Sequence, residues 1–537
     1  MSGGEAAIRA AVEGAEVVDF PQQGGGDDDD LDLRLALLPR NDIGNAGRLM
    51  ARFGPDLLHV PDVGWHAWTE THWDCEDGER QAHLRAQDTV AAIKDEAVAV
   101  EKHGPFDEPP EDEAEAKEFH KQWDKFVEGR FAWAVASGNS GRVSAMLREA
   151  APNISLRLEG LDADPFLLNV ANGTLALRAA AAGGPQDGDD GADSGGAGGE
   201  GDFALLPHSR GHHITKISPA RFAPEATAAT FRHFLDQVLP DREVQTFLQR
   251  WFGYCLTGDT SEQCLVLFHG TGANGKSTLV DTVKWILGDY AMTLPFASLL
   301  HDDRRRGSEP TPDLARLPGA RLVSAAEPEI GQRFSESLIK TLTGGEAITA
   351  RHLQQDFFEF TPTFKLVLSF NTKPSVRGQD EGIWRRLLMV PFDVTVPKTQ
   401  RDRDLPAKLR AEASGILNWM LDGLRLWLEG GLQIPEAVRA ATAAYKTESD
   451  PLGQFLEMAT LRKAGAHVQA KQFYTAYTHW CRENAVEPLS MTAVGRKLGD
   501  RGIEKERVGV VFYKDLELLE EFKPSSEPPP HDDDDVR

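Results

Sequence analysis

The 537-residue chain is poor in cysteine, with four in all (Cys75, Cys255, Cys264 and Cys481) and no CxxC pair. That usage argues against a disulfide framework and a zinc ribbon, and a reducing cytoplasm is the expected compartment. No apolar run approaches the roughly 18 residues of a membrane span, and none opens the chain as a secretory signal would. Basic charge is scarce as well: 58 Lys and Arg against 84 Asp and Glu give a formal net charge of −26. An acidic total weighs against a nucleic-acid partner only if it is evenly spread. Residues 27–30, 183–202 and 524–537 together hold 15 acids and one base, over half of the excess. Residues 461–514 hold ten Lys or Arg and five Asp or Glu, a local basic region where DNA could dock.

The Gly- and Asp-rich stretches 20–30 and 183–202 read as flexible linker or insertion, because they have too little apolar surface to offset their ordering entropy. NDIGNAGRLMARFG predicts a short amphipathic helix capped by Asn41 or Asp42. Trp65, Trp68 and Trp73 punctuate an alternating stretch that predicts a small hairpin. Nearby His66, His72, Cys75 and His83 fit no standard metal-ligand spacing. Residues 111–150, 222–256 and 404–447 predict helices. CLVLFHG, ARLVSAAE (320–327) and FKLVLSFN (364–371) predict strands. Strands alternating with helices point to an α/β sheet with a parallel core. Residues 450–520 read as three helices followed by two short strands.

The chemistry concentrates in GTGANGKS (270–277), which fits G-x-x-x-x-G-K-[ST] between an apolar strand and an amphipathic helix. Glycines let the backbone turn its N–H groups toward phosphate, and the helix N-terminus adds a positive dipole. Gly270, Thr271, Gly272, Ala273, Asn274, Gly275, Lys276 and Ser277 are the candidate nucleotide-binding residues. Lys276 would reach the β- and γ-phosphates and Ser277 would hold Mg²⁺. Glu327 stands at a strand end, where a carboxylate would orient the metal and activate water; Glu329 follows two residues on. Asn371, at another strand tip, would hold the attacking water. Arg385 and Arg386 precede an apolar strand and suit an arginine finger.

The series GTGANGKST, LVSAAEPE, IKTLTGGEAITARHLQQDFFEF, FKLVLSFNTKP and WRRLLMVPF resembles the superfamily 3 helicases, most closely the phage and plasmid primase/helicase family related to the poxvirus primase-helicase. The resemblance runs over roughly residues 40–520. It implies an α/β fold: a P-loop NTPase core of the AAA+-like superfamily 3 type, a helical N-terminal domain and a C-terminal winged helix. It implies ATP and Mg²⁺ as cofactors, Gly270, Gly275, Lys276, Ser277 and Thr278 for nucleotide and metal, Glu327 in the Walker B role, Asn371 as sensor and Arg385 or Arg386 as finger. ITARHLQQDFFEF would be the hairpin that enters a ring channel, with Arg351 and His352 near its tip on the DNA backbone. One departure stands out: the superfamily places two adjacent acids at Walker B, whereas Pro328 separates Glu327 from Glu329 here.

The implied organisation is a disordered segment 1–35, a primase/helicase-associated domain 36–221 with its acidic insertion near 183–202, and a helical collar 222–258. The ATPase core 259–398, a helical subdomain 399–448, a winged-helix-like domain 449–522 and a disordered acidic tail 523–537 follow. In the winged helix, Arg496, Lys497 and Arg501 on the second helix would meet DNA. Some 35 residues precede the first helix pattern, so no primase catalytic domain is expected. The expected activity is a hexameric, 3′-to-5′, ATP-dependent DNA helicase of phage, prophage or plasmid replication, working with a primase or an initiator. The rival readings are an ATP-switched initiator or loader, a true primase, and a packaging-type motor, which the Arg pair and winged helix disfavour.

Overall fold

The structure is a computed structural model that describes residues 28–61, 63–178, 203–301, 312–326, 332–351, 357–376, 378, 380–484 and 486–523. The chain is already helical from Asp28 to Ala36, inside the segment expected to be disordered. Asp32 pairs with Arg52 there, and Leu35 is buried. Asn41 caps the helix Asp42–Phe53 by accepting the Gly44 N–H at 2.8 Å. The tryptophan stretch forms an antiparallel sheet of β1 (Leu57–Val60), β2 (Gly64–Trp68) and β3 (Trp73–Asp74). Trp65 and Trp73 are buried, and Trp68 meets Trp73 edge-on. The helices Gly78–His103, Glu113–Ser137 and Ser140–Ala150 follow. Buried Arg48 donates from Nε to Glu96 at 2.7 Å and ties the helix Asp42–Phe53 to the long one.

DADPFLLNVANGTLAL becomes β4 (Leu167–Val170) and β5 (Gly173–Ala176). The strand after the acidic Gly-rich insertion, β6 (Ala204–Leu206), pairs back on β5, so that insertion joins two neighbouring strands. Short strands such as β6 leave little periodicity to read, and the sequence did not announce it.

The centre is a five-stranded sheet of β7 (Leu265–His269), β8 (Ala291–Thr293), β9 (Leu322–Ala326), β12 (Lys365–Phe370) and β13 (Leu387–Pro391). A two-stranded antiparallel hairpin, β10 (Ile348–Ala350) and β11 (Phe358–Phe360), sits between β9 and β12 in the chain. The five strands are all parallel in the order β13-β7-β12-β9-β8. Alternate residues feed opposite faces. Val266, Phe268, Val367 and Val390 join one core, while Leu265, Leu267, Leu366, Leu368 and Met389 join the other. Both faces are covered, which is why these strands read as unbroken apolar runs. After β7 the chain travels to the far edge, steps back to β7's flank as β12, then crosses to its other side as β13. The crevice at the C-terminal end of β7 is therefore the switch point where open α/β sheets bind ligands.

The helices Ala229–Val238, Arg242–Tyr254 and Ala413–Gly430 share one core with the first sheet face, so the segments expected as collar and helical subdomain pack as one body. Their approach needs glycine: a Cβ on Gly423 would lie 1.9 Å from the Gln249 carbonyl oxygen, and one on Gly253 would lie 2.1 Å from the Leu424 nitrogen. The last unit comprises helices Pro451–Ala459, Ala470–Glu483 and Met491–Asp500 with an antiparallel sheet in the order β14 (Thr460–Gln469), β16 (Val510–Leu518), β15 (Lys505–Val508). β14 was unforeseen; it is largely exposed, so its polar, glycine-broken sequence gives no apolar alternation. No helix of the described residues is long and apolar enough to cross a membrane.

Candidate functional site

The loop after β7 is held open by interactions that tolerate no side chain at Gly270. A Cβ there would lie 2.1 Å from the Asn274 amide nitrogen and 2.3 Å from the Phe392 carbonyl oxygen. Asn274, itself buried, donates to that same Phe392 carbonyl at 3.0 Å. The Val396 N–H bonds the Ala273 carbonyl at 2.9 Å. The segment following β13 thus braces the loop. Gly272 has φ +104° and Gly275 φ +82°, values that favour glycine. No atom lies within 4 Å of where a Gly272 Cβ would be, so the loop faces open space at that point. Thr271 and Ser277 are exposed and Thr278 is half-buried.

Gly275 is the N-cap of the helix Lys276–Leu287 and supplies no side chain to it. The amides of Lys276, Ser277 and Thr278 have no acceptor among the described residues, as expected for an uncapped first turn. Lys276 is 6% exposed, and burial lowers its pKa. Its Nζ donates to the Gly270 carbonyl at 2.7 Å, to Asn274 Oδ1 at 3.1 Å and to Asn371 Oδ1 at 3.0 Å. All three acceptors are neutral. Fold and sequence therefore bring together a buried cation, free amides and a helix dipole, the donor set that fits a phosphate chain. Beside the loop a cleft of about 890 Å³ opens between the helix Ala229–Val238 and residues 396–405. Phe234, Val238, Val396 and Leu405 form its apolar wall, and Ala273 and Thr278 form its edge toward the loop. The sequence reading missed this cleft because its walls are 160 residues apart in the chain.

Asn371 directly follows β12, next to the loop, in agreement with its expected position. Glu327 follows β9, the other neighbour of β12, and lies outside the described residues, as do Glu329 and His352. Arg351 is half-buried at the end of β10, with its guanidinium 4.6 Å from the centre of the Phe357 ring. Phe357 is 51% exposed and was not singled out in the sequence; two consecutive phenylalanines on a hairpin strand were the available signal.

The arginine pair splits. Arg386 is 8% exposed; its Nε donates to Thr343 Oγ1 at 3.1 Å and a terminal nitrogen donates to the Gly382 carbonyl at 2.6 Å. This inward tether distinguishes Arg386 from its neighbour, the other candidate finger. Arg385 is exposed, with no ion pair or side-chain hydrogen bond among the described residues. Leu387 pairs with Leu265 and Pro391 with His269, so the arginines stand level with the start of β7. That is roughly 13 Å of strand from the loop, at about 3.3 Å per residue.

Arg501, expected on the second helix at DNA, is likewise bonded within the chain. It ends the helix Met491–Asp500, and its guanidinium pairs with Asp450. Arg496 on the same helix is exposed, and Lys497 is half-buried. Ser490 caps that helix through the Ala493 N–H.

A family model described as D5 N terminal like matches residues 46–240. A protein named "Putative helicase" from Acanthamoeba polyphaga mimivirus is 29% identical over 281 residues, covering 48% of this chain and 29% of the viral protein. A "Putative helicase" from Frog virus 3 is 27% identical over 270 residues, covering 47% of this chain and 28% of that one. A "Putative primase" from African swine fever virus is 22% identical over 350 residues, covering 61% of this chain and 34% of that one. The chain thus spans about a third or less of these relatives. Among solved structures, the C terminal region of NrS-1 aligns over 59% of this chain and 82% of that one, at 13% identity and a TM-score of 0.38, too distant to carry an argument.

Proposed function

We propose that this chain, a relative of the D5-like viral primase-helicases, is an ATP-driven DNA helicase whose subunits share their active sites in a ring. The observation that carries the reading is Lys276: a buried ammonium at the sheet's switch point, held by neutral acceptors. An arriving triphosphate would exchange those neutral acceptors for anionic ones, adding attraction between opposite charges in a partly desolvated site. The amides of Lys276, Ser277 and Thr278 would hold the phosphate oxygens, and the apolar cleft would take the base. Ser277 and Glu327 would hold Mg²⁺, which supplies charge neutralisation at the β- and γ-phosphates. Asn371, released from Lys276, would orient the attacking water with its amide.

Arg385 would act in trans. It is the exposed member of its pair, and its own loop lies at the other end of the sheet. A neighbouring copy would therefore receive it, which favours a ring, by the resemblance a hexamer moving 3′ to 5′. Arg351 and Phe357 at the hairpin would contact single-stranded DNA, the cation at phosphate and the ring against a base. The C-terminal helices and three-stranded sheet would serve as a winged helix, with Arg496 on its exposed helix face.

The test is unwinding of a forked duplex with ATP and Mg²⁺, wild type beside Lys276→Ala. ATP-dependent strand separation that the variant loses is the expected result. DNA-stimulated hydrolysis without unwinding would favour a switch or loader, and folded protein with neither activity would overturn the reading.

A further inference from the structure

Resting on that ATPase reading, we propose that the helix Glu336–Gly344 is a lever that couples the neighbour's nucleotide, sensed through Arg385, to the position of the DNA hairpin. Its Glu336, Lys340 and Thr343 fall at i, i+4 and i+7, one face of the helix. That face is tied at three points to the turn that carries Arg385. Glu336 accepts the Gly378 N–H at 2.8 Å. Lys340 Nζ meets Asp380 Oδ1 at 2.9 Å. Thr343 Oγ1 accepts from Arg386 Nε at 3.1 Å, and the same guanidinium holds the Gly382 carbonyl. Arg385 is the exposed residue between two buried neighbours, Trp384 and Arg386, so engaging it loads the turn that the helix grips.

The other end of the lever is the hairpin. The helix stops at Gly344, Gly345 turns the chain at φ +76°, and β10 begins at Ile348. Ile348, Ala350 and Phe360 are buried in the same core as Ile339 and Leu342 of the helix. The hairpin base thus follows the helix directly in the chain and shares its core, so a shift of the helix relative to the sheet has a path to the hairpin.

The three ties are unequal. The Lys340–Asp380 side chains are 37% and 54% exposed, so this pair is weak on its own. The Arg386–Thr343 bond is buried, and losing one buried partner costs more than losing an exposed pair. Thr343 is accordingly the decisive position. It lies outside the nucleotide loop and outside the hairpin.

The experiment measures ATP hydrolysis with and without single-stranded DNA, and melting temperature, for wild type, Thr343→Val, Thr343→Ser, Lys340→Asp, Asp380→Lys and the double charge swap. Thr343→Val is expected to lower the DNA stimulation ratio at least about fivefold, the low end of ordinary coupling. Thr343→Ser keeps the ratio, and the swap regains more of it than either single charge variant. If Thr343→Val fails to fold, the charge pair and its swap decide. DNA-stimulated hydrolysis equal in all folded variants overturns the lever and leaves the ATPase reading standing. A ratio that falls only with melting temperature, without serine rescue, also overturns it. A wild type that hydrolyses no ATP overturns the reading of the loop, and the lever with it.

Discussion

At the scale of single residues, adjacency in sequence hides opposite roles. Arg385 and Arg386 looked equivalent, yet an α-turn followed by a strand sends one outward and one into Thr343 and Gly382. Arg385→Ala is expected to leave the melting temperature unchanged and to lower ATP hydrolysis roughly a thousandfold, the low end for a finger. Arg386→Ala is expected to cost about 1–3 kcal/mol of stability, because Thr343 and the Gly382 carbonyl lose their partner. Thermal melts beside hydrolysis rates separate the two. If Arg385 serves the neighbouring site, mixing Arg385→Ala with Lys276→Ala subunits restores some hydrolysis that neither has alone. Lys276 itself was legible, since its neighbours in the loop are its neighbours in space.

Elements were read where one buried face stamped a period on the chain. The helix capped at Asn41 came through for that reason, and the central strands, buried on both faces, came through as unbroken apolar runs. β14 did not, since it is mostly exposed and carries no such period. Two glycines on different helices give a contrast. Gly423→Ala is expected to destabilise by about 1–3 kcal/mol, because the new methyl meets the Gln249 carbonyl and neither helix can yield freely. Gly499→Ala, on a helix with nothing within 4 Å of the new methyl, is expected to be neutral or stabilising by up to about 1 kcal/mol. Denaturant melts of both variants check the pair. At the hairpin, Phe357→Ala is expected to weaken single-stranded DNA binding roughly tenfold, the cost of one lost base stack. Fluorescence anisotropy with a labelled oligonucleotide reads it.

Across the whole molecule, the N-terminal unit is joined to the sheet through a buried cation. Arg321, at the start of β9, donates to the Leu167 and Leu256 carbonyls. The same unit holds His66, His72, His208, His212 and His213, each with its pKa lowered chiefly by desolvation. Burial in the folded chain disfavours protonating these rings, whereas the unfolded chain protonates them near pH 6.5. Stability that depends on them is therefore complete above about pH 6.5 and falls as the pH drops below it. The expected result is a lower melting temperature at pH 5.5 than at pH 7.5, with a smaller difference in His66→Gln.

What the sequence determined alone was chemistry between residues close along the chain: the glycine-rich loop, its lysine and serine, the strand that delivers Asn371, the caps. Such groups are positioned by a few dihedrals, and the residue pattern reports those directly. Tertiary structure decided what depends on separation in the chain. It ordered the strands so that β7 lies at the switch point, and it assembled a cleft from residues 230–238 and 396–405 beside the loop. It turned Arg386 inward and paired Arg501 with Asp450. Those outcomes follow from which buried faces pack together, a competition among many apolar segments that no local stretch of sequence encodes.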